Sequence, residues 1–142
     1  MKSLLWLFGL LALAALPLTA RAQTILAPVS STAIEGSHIF CTGPCKLYSS
    51  SVTTGASAGY LMIFDANSVP ADGALSAANA PKYCWNFPAN TGAGYTWPLG
   101  SGPNAAPSGS QFLKGLVTVF STGADCLHKT LSATAFFTVQ VQ

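Results

Sequence analysis

The chain has 142 residues, half of them hydrophobic and only 7% charged, with four cysteines and a formal charge of +2. That length supports one domain, and the frequency of aliphatic and aromatic residues excludes a disordered polymer. Beyond the N-terminus no apolar stretch is long enough for a membrane-spanning helix, which excludes a polytopic membrane protein.

Met1-Lys2 followed by the uncharged run Leu4–Leu16, Pro17 and the small-x-small pattern Ala20-Arg21-Ala22 reads as a secretory signal peptide over residues 1–22. Cleavage is expected after Ala22, with Ala20 as the alternative; the apolar run falls short of the roughly 20 residues that a spanning helix needs. Lys2 and Arg21 leave with the leader. Residues 23–142 then carry four lysines (Lys46, Lys82, Lys114, Lys129), four acids (Glu35, Asp65, Asp72, Asp125) and no arginine. This neutral set lacks the clustered cations that bind nucleic acid or an anionic membrane surface.

In chain order, residues 23–44 read as an N-terminal arm broken by Glu35-Gly36-Ser37 and Thr42-Gly43-Pro44, and residues 45–142 as the folded domain. Lys46–Thr53 is a strand with Tyr48 and Val52 facing one way and serines the other. Tyr60–Phe64 is apolar on both faces, which predicts a central strand covered on each side. Asp65–Ala80 is polar and small, with Val69-Pro70 and Asp72-Gly73 as turns. Lys82–Phe87 alternates, with Tyr83, Trp85 and Phe87 on one face and Lys82, Cys84 and Asn86 on the other. Tyr95–Leu99 is a short strand that Pro98 confines to an edge. Leu99–Gln111 reads as a loop. Phe112–Phe120 resumes as a strand weakened or bulged at Gly115. Thr122–Lys129 is a connector, and Ala133, Ala135, Phe137, Val139 and Val141 alternate with polar residues except Phe136. Six strands in about 120 residues predict an all-β fold, a small antiparallel β-sandwich or jelly-roll-like domain.

Cys41, Cys45, Cys84 and Cys126 form an even set in an exported chain, which favours disulfides. Of the three connectivities, Cys41–Cys45 with Cys84–Cys126 fits best, because Thr42-Gly43-Pro44 is turn-forming. A zinc site built from the cysteines with His38 and His128 matches no common module and is opposed by the oxidising compartment, so no metal and no cofactor are expected. Asp65, Asn67 and Asp72 lack the glycine and distal glutamate of a calcium loop, and turn capping explains them.

Chemistry is sparse. No nucleophile elbow, metalloprotease helix or phosphate-binding loop occurs. A triad of Asp125, His128 and a serine, or a carboxylate pair from Asp65, Asp72 and Asp125, would be needed for a small secreted hydrolase. No catalytic residue is therefore assigned. Tyr83, Trp85, Phe87, Tyr95 and Trp97 place five rings within fifteen residues. They either form the core or, with Trp85, Tyr95 and Trp97 exposed, stack on sugars or anchor a protein partner.

Two stretches, Gly59–Gly73 (GYLMIFDANSVPADG) and Gly115–Cys126 (GLVTVFSTGADC) running into Ser132–Phe137 (SATAFF), resemble small β-rich proteins of bacteriophages and prophages that are regarded as virion-associated. The similarity spans roughly residues 45–142. It implies a compact β-domain displayed on an assembly and the Cys84–Cys126 link, and it supplies no catalytic residue. A leader departs from that pattern, because virions assembled in the cytoplasm need no secretion, so an envelope or secreted bacterial protein sharing the domain fits equally. The expectation is a secreted or periplasmic, disulfide-bonded, non-enzymatic module for protein–protein or surface assembly. The alternative is a carbohydrate-binding module using Trp85, Tyr95 and Trp97.

Overall fold

The computed structural model describes residues 27–96, 109–131 and 134–142. The expected leader, Trp97 and most of the expected 99–111 loop lie outside them. Among these described residues, eleven strands build two facing antiparallel sheets and a two-stranded ribbon. They are β1 (Val29–Ser30), β2 (Ser37–Cys41), β3 (Cys45–Thr54), β4 (Gly59–Asp65), β5 (Gly73–Ala74), β6 (Tyr83–Phe87), β7 (Gly92–Thr96), β8 (Ser110–Phe112), β9 (Leu116–Ser121), β10 (His128–Lys129) and β11 (Ala135–Val141). The first sheet runs β1-β11-β3-β7, with β8 also on β3; the second runs β2-β9-β4-β6; β5 pairs β10. The protein is an all-β sandwich, as its alternating apolar patterns predict.

The second sheet is buried on both faces. Leu61 and Ile63 of β4, with Leu116 and Phe120 of β9, meet Leu47, Val52, Phe137 and Val139 of the first sheet in the central core. Met62, Phe64, Val117 and Val119 point the other way and pack against Leu75, with Val69 and Cys84 at the margin. The layer that covers them comes from residues 66–82 and 122–131, which meet in the β5–β10 ribbon. This explains why Tyr60–Phe64 is apolar at successive positions. At about 25 cal/mol per Å² of apolar surface, a second buried face contributes as a core does, so the cover is part of the fold.

Several expectations are corrected. Residues 29–41 are no peripheral arm: β1 pairs β11, and β2 pairs β9, so this segment closes one edge of each sheet. Along β3, register passes from Gln140↔Ser49 to Val141↔Leu47, leaving Tyr48 as an extra residue. That bulge turns Leu47, Ser50 and Val52 inward together and Tyr48 outward, so Tyr48 and Val52 do not share a face. The expected strand Phe112–Phe120 is two strands. Phe112 closes β8 in the first sheet and Leu116 opens β9 in the second. Gly115 makes the crossing at φ +147°, where an added Cβ would lie 2.5 Å from the Cys41 carbonyl oxygen and 2.7 Å from that of Ala66. The 95–99 strand begins earlier, at Gly92, and the expected 122–129 connector carries β10.

Candidate functional site

The aromatic residues sort themselves by strand parity. Tyr83, Trp85 and Phe87 all face the central core, and Phe87 is buried there. Tyr83 and Trp85 are half-buried and stack at 5.5 Å with an interplanar angle of 5°. The Tyr83 hydroxyl shares a hydrogen bond of 2.7 Å with Ser110 Oγ. Trp85 thus serves packing between the sheets at the β6 edge. Tyr95 is the register partner of Ser50 on β7, and Trp97 lies outside the described residues. Of these three rings the structure thus describes the surroundings of Trp85 alone.

The cysteines form Cys41–Cys45 and Cys84–Cys126, the pairing the sequence favours. The second bridge joins β6 to the covering layer just before β10, with Cα atoms 5.9 Å apart. No cysteine is left as a thiolate ligand, and among the described residues no three His, Cys, Asp or Glu side chains come together.

All four acids are hydrogen-bonded to backbone N–H groups, to a lysine or to a histidine ring. Asp65 Oδ1, at the end of β4, accepts from the backbone N–H of Leu113 at 2.9 Å and of Lys114 at 2.7 Å. It spans the sheet-to-sheet crossing instead of capping its own turn. Burial pushes its pKa up, yet the N–H groups of Lys114, Leu113 and Gly115 and the nearby Lys82 charge outweigh that and hold it below the ordinary value. Asp72 accepts from the Lys129 ammonium and from Leu131 N–H. The Lys129 hydrogen bond, first among the causes, lowers the Asp72 pKa. Asp125 is likewise lowered, chiefly by its hydrogen bond of 3.0 Å to His128 Nδ1 and also by Leu127 N–H. Glu35 Oε1 lies 2.6 Å from His38 Nδ1. Asp125 and His128 thus do meet, but neither imidazole is hydrogen-bonded to a serine or threonine hydroxyl among the described residues. Asp65 and Asp72 serve different segments.

Among the described residues, a groove of about 510 Å³ lies between the start of the covering layer and the sheet crossing. Phe64 and Pro70 supply apolar wall, and Asp65, Asn79, Lys82 and Lys114 bring polar atoms. Sequence reading missed it because its walls come from three separate segments. The available signal was that Lys82 and Lys114 each stand one to two residues outside an apolar strand, where a strand end leaves charge at the rim.

Among the described residues, the outer face of the first sheet carries mainly hydroxyl and amide side chains. Ser30, Ser51 and Thr138 lie in one cross-strand row, Ser49 and Gln140 in another, and Thr53 with Phe136 in a third. Ser30 Oγ and Thr138 Oγ1 share a hydrogen bond of 2.9 Å, and Ser49 Oγ donates to Gln140 Oε1 at 3.0 Å.

Comparison of the chain with models of protein families, with curated proteins and with solved structures gave no match.

Proposed function

We propose that the protein is an exported, non-catalytic β-sandwich module that associates with copies of itself or with a protein partner through the outer face of its first sheet. One observation carries this reading: the second sheet is covered on both faces by its own chain, while among the described residues no segment packs on the hydroxyl-lined outer face of the first. Such a face, its side chains held by cross-strand hydrogen bonds, suits recognition by shape with little charge to desolvate. The engagement of every carboxylate in holding the fold supports the non-catalytic part. Two disulfides support export to an oxidising compartment. The resemblance of residues 45–142 to virion-associated proteins points to the same kind of role, a domain displayed on an assembly.

Light scattering of the purified protein over a range of concentrations tests the proposal. A mass above the monomer, returned to the monomer by Thr138→Lys, is the expected result. A strict monomer that also captures no partner from envelope extracts would remove it.

A further inference from the structure

We infer that the groove beside Asp65 binds a small oxyanion-bearing molecule, a carboxylate or a phosphate ester on a compact organic body. The groove lies on the covered side of the second sheet, away from the open face of the first, so this inference and the assembly reading fail independently.

Size and chemistry both point there. A volume of about 510 Å³ matches a small-molecule site. Its charged side chains are two lysines and one aspartate, beside Asn67, Ser68 and Asn79. Lys114 is exposed and makes no ion pair among the described residues. The Lys82 ammonium donates to the Gln111 carbonyl and lies 4.7 Å from the centre of the Phe112 ring, which anchors it and leaves further N–H groups to offer. Asn79 accepts from Ser76 N–H at 2.6 Å and Ser76 Oγ at 3.0 Å through its amide oxygen. Its amide N–H groups are then the free part of that side chain.

Asp65 is the one carboxylate on the lining, and its Oδ1 is already occupied by two backbone N–H groups. Two of the four lysines in residues 23–142 therefore converge on one concavity against a single acid whose acceptor capacity is partly used. A ligand rich in acceptors and negative charge is what this excess of ammonium over carboxylate complements. Phe64 and Pro70 offer apolar contact to the body that carries the anion. Two cations without arginine are too few for a nucleic acid backbone, where affinity grows with the number of phosphates neutralised.

Amide-resolved NMR titration of the purified protein with glucuronate, glucose 6-phosphate, glucose and inorganic phosphate tests the inference. Glucuronate or glucose 6-phosphate should give saturable shifts at residues 65–68, 78–82 and 113–115, with none from glucose. Lys114→Gln should weaken that binding roughly tenfold, the loss expected for one charge-assisted hydrogen bond. Lys46→Gln, on the outer face of the first sheet, should leave it unchanged. Lys114 is exposed, so its variant retains the fold. Absence of saturable shifts, an equal response to glucose, or equal weakening by Lys46→Gln would overturn the site. Inorganic phosphate binding as tightly as glucose 6-phosphate would leave no role for the organic body and overturn that half of the inference.

Discussion

The Lys129 ammonium, on a side chain only 2% exposed, is hydrogen-bonded to an Asp72 carboxylate whose side chain is 55% exposed. The pair ties β10 to the residue preceding β5, so it fixes the ribbon that covers Met62 and Phe64. Asp72→Asn leaves a buried ammonium without its counter-charge. Because one partner is half in solvent, the loss should be about 1–3 kcal/mol, below that of a fully buried pair. Combining Asp72→Asn with Lys129→Met should recover most of it, and denaturant unfolding of both variants checks this.

Acid should loosen the same layer. Asp65, Asp72 and Asp125 all have pKa values below the ordinary 3.8. A depressed folded-state value means that the unfolded chain takes up protons first as pH falls. The stabilisation is thus complete above about pH 5 and drains away below the unfolded value near 4, through the folded values. The Tm should be level from pH 7 to 5 and drop below pH 4, less steeply in Asp72→Asn.

The two disulfides should differ in worth. Cys84–Cys126 spans 42 residues and Cys41–Cys45 spans 4. Loop-closure entropy sets ceilings of about 4 and about 2 kcal/mol. Replacing Cys84 and Cys126 together by serine should cost more than replacing Cys41 and Cys45. Hydrogen exchange should show the loss first at residues 66–82 and 122–131, with β3 and β11 protected.

Gly115 and Gly73 separate crowding from backbone strain. Both have positive φ, +147° and +117°, but only Gly115 has backbone oxygens where a Cβ would stand. Gly73→Ala should cost about 1 kcal/mol, and Gly115→Ala 3 kcal/mol or more, because two carbonyls would have to move. Equal melting temperatures for the two variants would contradict this assignment.

Trp85→Ala should act on stability. The ring stacks on Tyr83 and packs against the central core, so its loss should cost roughly 2–4 kcal/mol. Trp85→Phe should retain most of that. Glycan binding lost in Trp85→Ala but with an unchanged Tm would restore the sugar-stacking role.

What was legible in the sequence depended on how many faces of a strand are buried. β4 shows itself by apolar residues at successive positions, and β6 and β11 by clean alternation, because burial on two faces or one leaves those signatures. β1 and β2 are held at sheet edges largely by backbone bonds, with Val29 and Ile39 exposed, so no periodicity marks them. Tyr48 shifts parity by one residue in a way that depends on its partner strand, which local pattern does not encode. Leu75 is an isolated large apolar residue among small and polar ones, and only the tertiary fold shows it sealing the outer side of Met62 and Phe64. The groove was invisible for a related reason: Asp65 and Lys114 are neighbours only because Gly115 carries the chain from one sheet to the other.

The position of β11 between β1 and β3 has a consequence for biogenesis. The first layer has a gap until residues 135–141 have been made, so β1 has no strand to join before then. That layer is therefore closed by a pairing that joins Ser30 to Thr138, 108 residues further along the chain.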